Sequence, residues 1–363
     1  MPEPKKKRVL IVDDAVVVRR SLSDAIAGDP ALEVAGTASN GRLALAKFPS
    51  LKPDIVLLDI EMPEMDGLET VRQLRKIDAR IPIIMFSTLT EHGASATLEA
   101  LSLGASDYVT KPSNTDMTGT IGKISQELIP RIHALCRIPG PSAVPAFTPP
   151  PPRQTRSRLL LPAQIVAIGV STGGPDALAR LIPSLPADLS VPVVVAQHMP
   201  PVFTTMLAAR LSAKSALPVH ECKSGVPLRP GCIFLAPGDY HMVIKNADGV
   251  VQLQTHQGPK ENFCRPSVDV LFRSVSEVFG ARALAVVLTG MGQDGLKGCE
   301  HLQKAGARIV VQDEATSVVW GMPGFVARAG LADKVLPLDQ IAAEIQRSTA
   351  LETAFSRTAS ISV

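Results

Sequence analysis

The chain has 363 residues, a length suited to two or three domains, and 37 basic minus 34 acidic residues leave a net charge of only +3. That balance gives no electrostatic case for a nucleic-acid or membrane surface. No apolar run is long enough to span a bilayer and nothing reads as a signal peptide. The five cysteines, Cys136, Cys222, Cys232, Cys264 and Cys299, form no CxxC pair, so a cytoplasmic protein with free thiols and no structural zinc is expected.

Lys5-Lys-Lys-Arg8 reads as a solvated lead-in to the first apolar run, Arg8-Val-Leu-Ile-Val, which ends in Asp13 and Asp14. A second run, Asp54-Ile-Val-Leu-Leu, ends in Asp59. Short continuous apolar runs predict strands buried on both faces of a parallel sheet, and such sheets bind ligands beyond their carboxyl ends. Three carboxylates converging there repel one another unless a cation lies between them. Oxygen-only ligands suit Mg²⁺, and a carboxylate beside Mg²⁺ can attack a phosphoryl group. Two further strands, Ile81–Ser87 and Asp107–Lys111, bring a hydroxyl (Ser87) and a cation (Lys111) to the same edge. Lys111 and Mg²⁺ together would neutralise a phosphorylated Asp59.

From about Lys5 to about Leu128 this pattern resembles a response-regulator receiver domain. The resemblance implies a flavodoxin-like (CheY-like) five-stranded parallel sheet and phosphorylation at Asp59. It also implies metal binding by Asp13, Asp14, Asp59 and the Glu61 backbone carbonyl, with Ser87 and Tyr108 reporting the phosphorylated state.

After Arg137 the composition breaks. The stretch from Ile138 to Arg158 contains four consecutive prolines and cannot build a core; it reads as an extended interdomain linker. Beyond it, Ile165–Ser171, Val191–His198, Ala283–Thr289 and Arg308–Gln312 read as buried strands. They are separated by helical patterns at Pro175–Ile182, Val202–Leu211, Val268–Phe279 and Leu296–Lys304. Alternation of this kind predicts a second doubly wound, mainly parallel α/β domain. His220–Thr255, with turn signals at Pro237-Gly-Asp and Ala247-Asp-Gly, reads as an attached antiparallel meander. The expected divisions are 5–128 for the receiver, 129–162 for a helix end and linker, 163–350 for the second domain and 351–363 for a tail.

Gly169-Val-Ser171-Thr-Gly173 matches GxSxG between a strand and a helix. Such a turn can lift a serine hydroxyl above the sheet edge, or it can be an anion-binding turn with an incidental serine. His198 ends the next strand. Gly290-Met-Gly-Gln-Asp294-Gly295 follows the third and also fits GxGxxG, with Asp313-Glu314 where a ribose-binding acid would lie. A receiver governing a non-hydrolytic, nucleotide-binding output domain is therefore the rival reading. Against it, the Asp294 carboxylate would repel a pyrophosphate; as the partner of His198 it would support deprotonation of Ser171. The order Ser, His, Asp differs from the Ser, Asp, His order of α/β-hydrolases.

Five segments carry a closer resemblance: Ile168–Gly174, Gln197–Pro201, Arg265–Phe272, Leu288–Gly295 and Gly321–Pro323. Together they are similar to the catalytic domain of the CheB family of chemotaxis protein-glutamate methylesterases. The resemblance implies Ser171 as nucleophile, His198 as general base, Asp294 as its orienting partner and the Met291 N–H as oxyanion donor, with Thr172 as a polar helper. It implies hydrolysis of glutamyl methyl esters, and deamidation of glutamines, on methyl-accepting chemotaxis receptors. A histidine kinase would be the phosphodonor, the hydrolase would need no cofactor, and the unphosphorylated receiver would obstruct it. Val170 departs from the family's usual alanine, a difference of packing beneath the serine turn.

Overall fold

The computed structural model describes residues 5–111, 117–138 and 161–350. The chain divides into two compact units, Met1–Ala146 and Phe147–Val363. The proline-rich stretch at 139–160 and the expected tail at 351–363 lie outside the described residues.

The first unit alternates strand and helix throughout: β1 (Lys7–Val12), α1 (Val16–Ala27), β2 (Leu32–Ala38), α2 (Gly41–Leu51), β3 (Ile55–Asp59), α3 (Gly67–Ile77), β4 (Ile83–Ser87), α4 (Glu91–Ser102), β5 (Asp107–Thr110) and α5 (Met117–Leu135). The sheet order is β2-β1-β3-β4-β5, with parallel pairing. Every residue of β3 and β4 is buried, which explains why these runs are continuously apolar rather than alternating. One core joins Val9, Ile11, Ile55, Leu57 and Ile84 to Leu22 and Ile26 of α1 and Leu128 and Ile132 of α5. Each such side chain contributes roughly 1.5–3 kcal/mol by leaving water. Asp66 caps α3 by accepting from Glu69 N, and Thr90 caps α4 by accepting from Gly93 N. The strand order reverses between β1 and β3, the crevice where open α/β sheets place ligands.

The second unit continues with β6 (Ile165–Val170), α6 (Gly174–Leu181), β7 (Val193–Gln197), α7 (Phe203–Ser212), β8 (Val219–Glu221), β9 (Ile233–Leu235), β10 (His241–Ala247), β11 (Val250–His256), α8 (Val268–Phe279), β12 (Ala283–Val287), α9 (Leu296–Lys304), β13 (Arg308–Gln312), α10 (Met322–Arg328), β14 (Lys334–Leu336) and α11 (Leu338–Thr349). Seven strands form one sheet in the order β14-β13-β12-β6-β7-β9-β8, each neighbour paired in parallel. The antiparallel part is narrower than the sequence suggests. Among the described strands, only β10 and β11 pair that way. The short strands β8 and β9 extend the parallel sheet instead, because the wholly buried Ile233-Phe-Leu235 docks on β7. Helix α8 and the β10–β11 hairpin cover one face, where Phe272, Leu271 and Val275 join Ile244 and Leu253 in the core.

Candidate active site and phosphoacceptor site

The three central strands β12, β6 and β7 are adjacent in the sheet, and the segments following them carry Asp294, Ser171 and His198. Register sets Ser171 and His198 at the adjoining ends of the paired strands β6 and β7. Val170 lies opposite Gln197, and the His198 N–H donates to the Val170 carbonyl at 3.2 Å. Backbone hydrogen bonds pin the serine turn. Ser171 N–H donates to Thr289 O at 3.0 Å, and Ser171 O accepts from Gly174 N at 2.7 Å and from Gln197 Nε2 at 3.0 Å. Gly173 has φ of +76° and begins α6, a backbone conformation that a side chain at this position would strain.

Asp294 is 2 % exposed, yet its carboxylate accepts six hydrogen bonds. Oδ1 takes Asn262 Nδ2 and Ser267 Oγ at 2.9 Å, Asp269 N at 3.0 Å and Gly295 N at 3.1 Å. Oδ2 takes Val268 N and His198 Nε2, both at 2.7 Å. Val268 and Asp269 open α8, and Ser267, at its N-cap position, makes no capping bond of its own. Asp294 therefore caps α8 from a distant segment, where the helix dipole also favours its charge. Burial alone would raise its pKa; the bonds from His198 and the helix N–H groups outweigh this and hold it at about 2. Neighbouring Asp269 is shifted the other way, upward, by its own burial and by the charge of Asp294.

An ionised Asp294 accepts but cannot donate, so His198 Nε2 carries the proton toward it and the neutral ring leaves Nδ1 bare. Nδ1 lies 3.5 Å from the sulfur of Cys264. Burial opposes a charged ring, but the neighbouring Cys264 and Asp294 outweigh it and push the His198 pKa up to about 10. When the ring is neutral, Nδ1 is the atom with a lone pair free to accept a proton.

The Gly290–Gly292 turn is held by Gly321 N and Met322 N, which donate to Gly290 O at 3.1 and 2.8 Å. The Met291 N–H enters none of the hydrogen bonds of this turn. Thr172 is 6 % exposed, and its carbonyl accepts from Thr289 Oγ1 at 2.9 Å. The GxGxxG alternative finds no phosphate cradle here, because the turn carries the Asp294 anion against α8.

In the receiver, carboxylate oxygens of Asp13, Asp14 and Asp59 lie within 4.8 Å of one another. Lys111 Nζ stands 2.7 Å from Asp59 Oδ2 and 3.1 Å from Asp13 Oδ2. Burial, opposed by the Lys111 hydrogen bond, raises the Asp59 pKa to about 6. Buried Asp13 Oδ2 faces the Lys111 ammonium and, among the described residues, accepts no further hydrogen bond; its remaining lone pairs fit a site for a hard cation. Ser87 Oγ, 1 % exposed, donates to Gly93 O at 3.1 Å and accepts from Thr97 Oγ1 at 2.7 Å, tying the strand end to α4. Tyr108 is buried, and burial pushes its phenol pKa upward. The exposed Glu61 side chain instead pairs with His92 Nδ1 at 3.1 Å.

Sequence reasoning missed Cys264 and Asn262. Both sit on a loop without periodicity, just before the Arg265–Phe272 segment. The left-handed backbone of Asn262 and Phe263, with φ of +50° and +63°, carries no sequence signature of its own.

Residues 166–345 match the CheB methylesterase family and residues 9–120 match the response regulator receiver domain. A protein-glutamate methylesterase/protein-glutamine glutaminase of Trichodesmium erythraeum is 49% identical over 347 residues, covering 94% of this chain and 99% of that one. The like-named protein of a Nocardioides species is 51% identical over 351 residues, covering 94% and 95%. The crystal structure of the Thermotoga maritima CheB methylesterase catalytic domain superposes with a TM-score of 0.50 at 41% identity, covering 52% of this chain and 99% of that one. With matching sequence along nearly its whole length and a receiver sheet ahead of the hydrolase sheet, the chain belongs to the CheB methylesterase family.

Proposed function

We propose that the protein is a phosphorylation-controlled serine hydrolase that removes methyl esters from glutamyl side chains on the cytoplasmic helices of chemotaxis receptors, and that it deamidates glutamines there. The observation that carries this reading is the 2.7 Å His198–Asp294 pair beside the Ser171 turn, at the ends of three adjacent strands. The names of the relatives supply the substrate class.

His198 Nδ1 accepts the Ser171 hydroxyl proton as Oγ attacks the ester carbonyl carbon. The Met291 N–H faces the developing oxyanion, a contribution of about 2.7–4 kcal/mol where one such donor has been removed elsewhere. His198 returns the proton to the methoxide, and methanol leaves. Water, deprotonated by the same nitrogen, then releases the glutamate carboxylate and restores Ser171. Asp294 holds the proton on Nε2 throughout and stabilises the transient imidazolium. Thr172, buried within the turn, serves as a polar helper.

Asp59 accepts the phosphoryl group from a histidine kinase. Mg²⁺ held by Asp13, Asp14, Asp59 and the Glu61 carbonyl would neutralise phosphoryl charge. Lys111, already paired with Asp59, follows the new anion, and Ser87 and Tyr108 sense it; relief of obstruction by the receiver links this event to the hydrolase. Among the described residues no helix is long and apolar enough to cross a membrane.

The test is methanol release from methylated receptor membranes, with and without acetyl phosphate and Mg²⁺. Ser171→Ala should lower turnover by about 10³-fold or more. Near-normal turnover by the folded variant would sink the mechanism.

A further inference from the structure

The chemistry of His198 leaves one neighbour unused. Cys264 is half-buried, and its sulfur lies 3.5 Å from Nδ1, the ring atom that Asp294 does not engage. With Asn262 O at 3.3 Å able to accept the Cys264 S–H, the 3.5 Å sulfur–nitrogen separation is a contact rather than a committed hydrogen bond. The same separation has a second meaning. Zinc–sulfur bonds of about 2.3 Å and zinc–nitrogen bonds of about 2.05 Å at a tetrahedral angle set sulfur and nitrogen about 3.5 Å apart. Thiolate and imidazole are also the ligand types that zinc prefers over harder ions. The far side of the ring is prepared as well. A metal-binding histidine characteristically donates its other N–H to a carboxylate, which fixes the tautomer and raises ligand basicity. Asp294 provides that contact at 2.7 Å. Its own oxygens are filled by six donors, so it acts behind the ring rather than as a ligand.

We propose that His198 Nδ1 and Cys264 Sγ form a bidentate site for zinc or a similar thiolate-preferring divalent cation, and that its occupation reversibly shuts the hydrolase. On binding, the Cys264 thiol gives its proton to solvent, both ligand bonds form from existing lone pairs, and water fills the remaining positions. The cation then holds the electron pair that would otherwise take the Ser171 proton, so no alkoxide forms. Mg²⁺, which the receiver uses, does not compete, because it favours oxygen ligands. The effect on turnover rests on the hydrolase reading, whereas the binding does not.

The experiment uses the full chain and two readouts. The first is cobalt titration, read by the thiolate-to-metal charge-transfer absorption and by competition with zinc. The second is methanol release from methylated receptor membranes with acetyl phosphate, in zinc-buffered solutions at constant Mg²⁺, each rate taken relative to the same protein with chelator. Wild type should show the thiolate band, lose activity as zinc rises and recover with chelator. Cys264→Ser keeps a small hydroxyl at the position but removes the sulfur; it should lose that band, and its half-inhibiting zinc concentration should rise by at least the roughly tenfold that loss of even an outer partner costs. Equal zinc sensitivity in the two proteins overturns the proposal and moves the effect elsewhere, such as the His241–His256 pair, whose rings stand 5.3 Å apart. A cobalt–thiolate band that survives in Cys264→Ser overturns it too. A wild-type band with no esterase activity at all keeps the metal site and defeats the hydrolase reading instead.

Discussion

Replacing Asp294 by asparagine isolates the proton logic of the site. The amide keeps one oxygen. Four donors converge on Oδ1 and two on Oδ2, so the oxygen stays on the crowded side and the NH₂ takes the position of Oδ2. There it meets the Val268 N–H, donor against donor, at a cost of about 1–3 kcal/mol for the unsatisfied groups. It also meets His198 Nε2, which can answer only by giving up its proton. The neutral ring then carries hydrogen on Nδ1, where Ser171 needs a lone pair. Fixing the wrong tautomer in a serine triad costs about 10⁴ in turnover, or about 5.4 kcal/mol at 1.36 kcal/mol per tenfold. The expected result is a folded protein, somewhat less resistant to urea, with kcat for methanol release down by about 10³–10⁴ and KM little changed. A folded Asp294→Asn protein within about tenfold of normal kcat would refute the assignment of Nδ1 as the base.

Three other outcomes are expected. Acetyl phosphate with Mg²⁺ should add one base-labile phosphoryl group per chain, and Asp59→Asn should remove it; full phosphate incorporation in that variant, read by mass spectrometry, contradicts the assignment. Gly290→Ala places a methyl group 2.8 Å from Ser171 Cβ and against Met322 Sδ, so turnover should fall at least about tenfold and the unfolding midpoint should drop with an overpacking penalty of roughly 1–3 kcal/mol. Glu344 is 5 % exposed and pairs with Lys334 at 2.8 Å and Arg347 at 2.6 Å; burial raises its pKa, but these cations outweigh burial and lower it. Its stabilising effect is therefore present above the ordinary glutamate pKa and lost as pH falls through the lowered one. With both cations substantially exposed, Glu344→Gln should cost about 1–2 kcal/mol at pH 7, a gap in urea unfolding that closes on acidification.

How much of this was legible in the sequence follows from where each residue sits. Asp59, Ser87, Ser171 and His198 terminate or immediately follow buried strands, and continuous apolar runs announce such strands. Their convergence is a rule of parallel sheets rather than a detail of packing. Helices Val268–Phe279 and Leu296–Lys304 begin and end where periodicity puts them. What surrounds Asp294 was less visible. Ser267 and the first N–H groups of α8 reach it across the fold, and Asn262 arrives on a loop whose backbone is left-handed at a residue that is not glycine. Strands β8 and β9, three residues each, are too short for alternation to reveal their direction. Parallel pairing was decided by the buried edge offered by β7, which is tertiary information.

The seat of Asp294 on α8 has a consequence for how the protein fails. Helix α8 packs on the β10–β11 hairpin and supplies Phe272, Leu271 and Val275 to the main core of its unit. In many enzymes the reactive centre lies in the least stable part of the fold and is lost before the rest. Here the carboxylate that aligns the base also anchors the first turn of a core helix, and neither can loosen without the other. On slow heating, hydrolytic activity and amide-exchange protection at the start of α8 should disappear together, leaving little room for a population that is folded but idle.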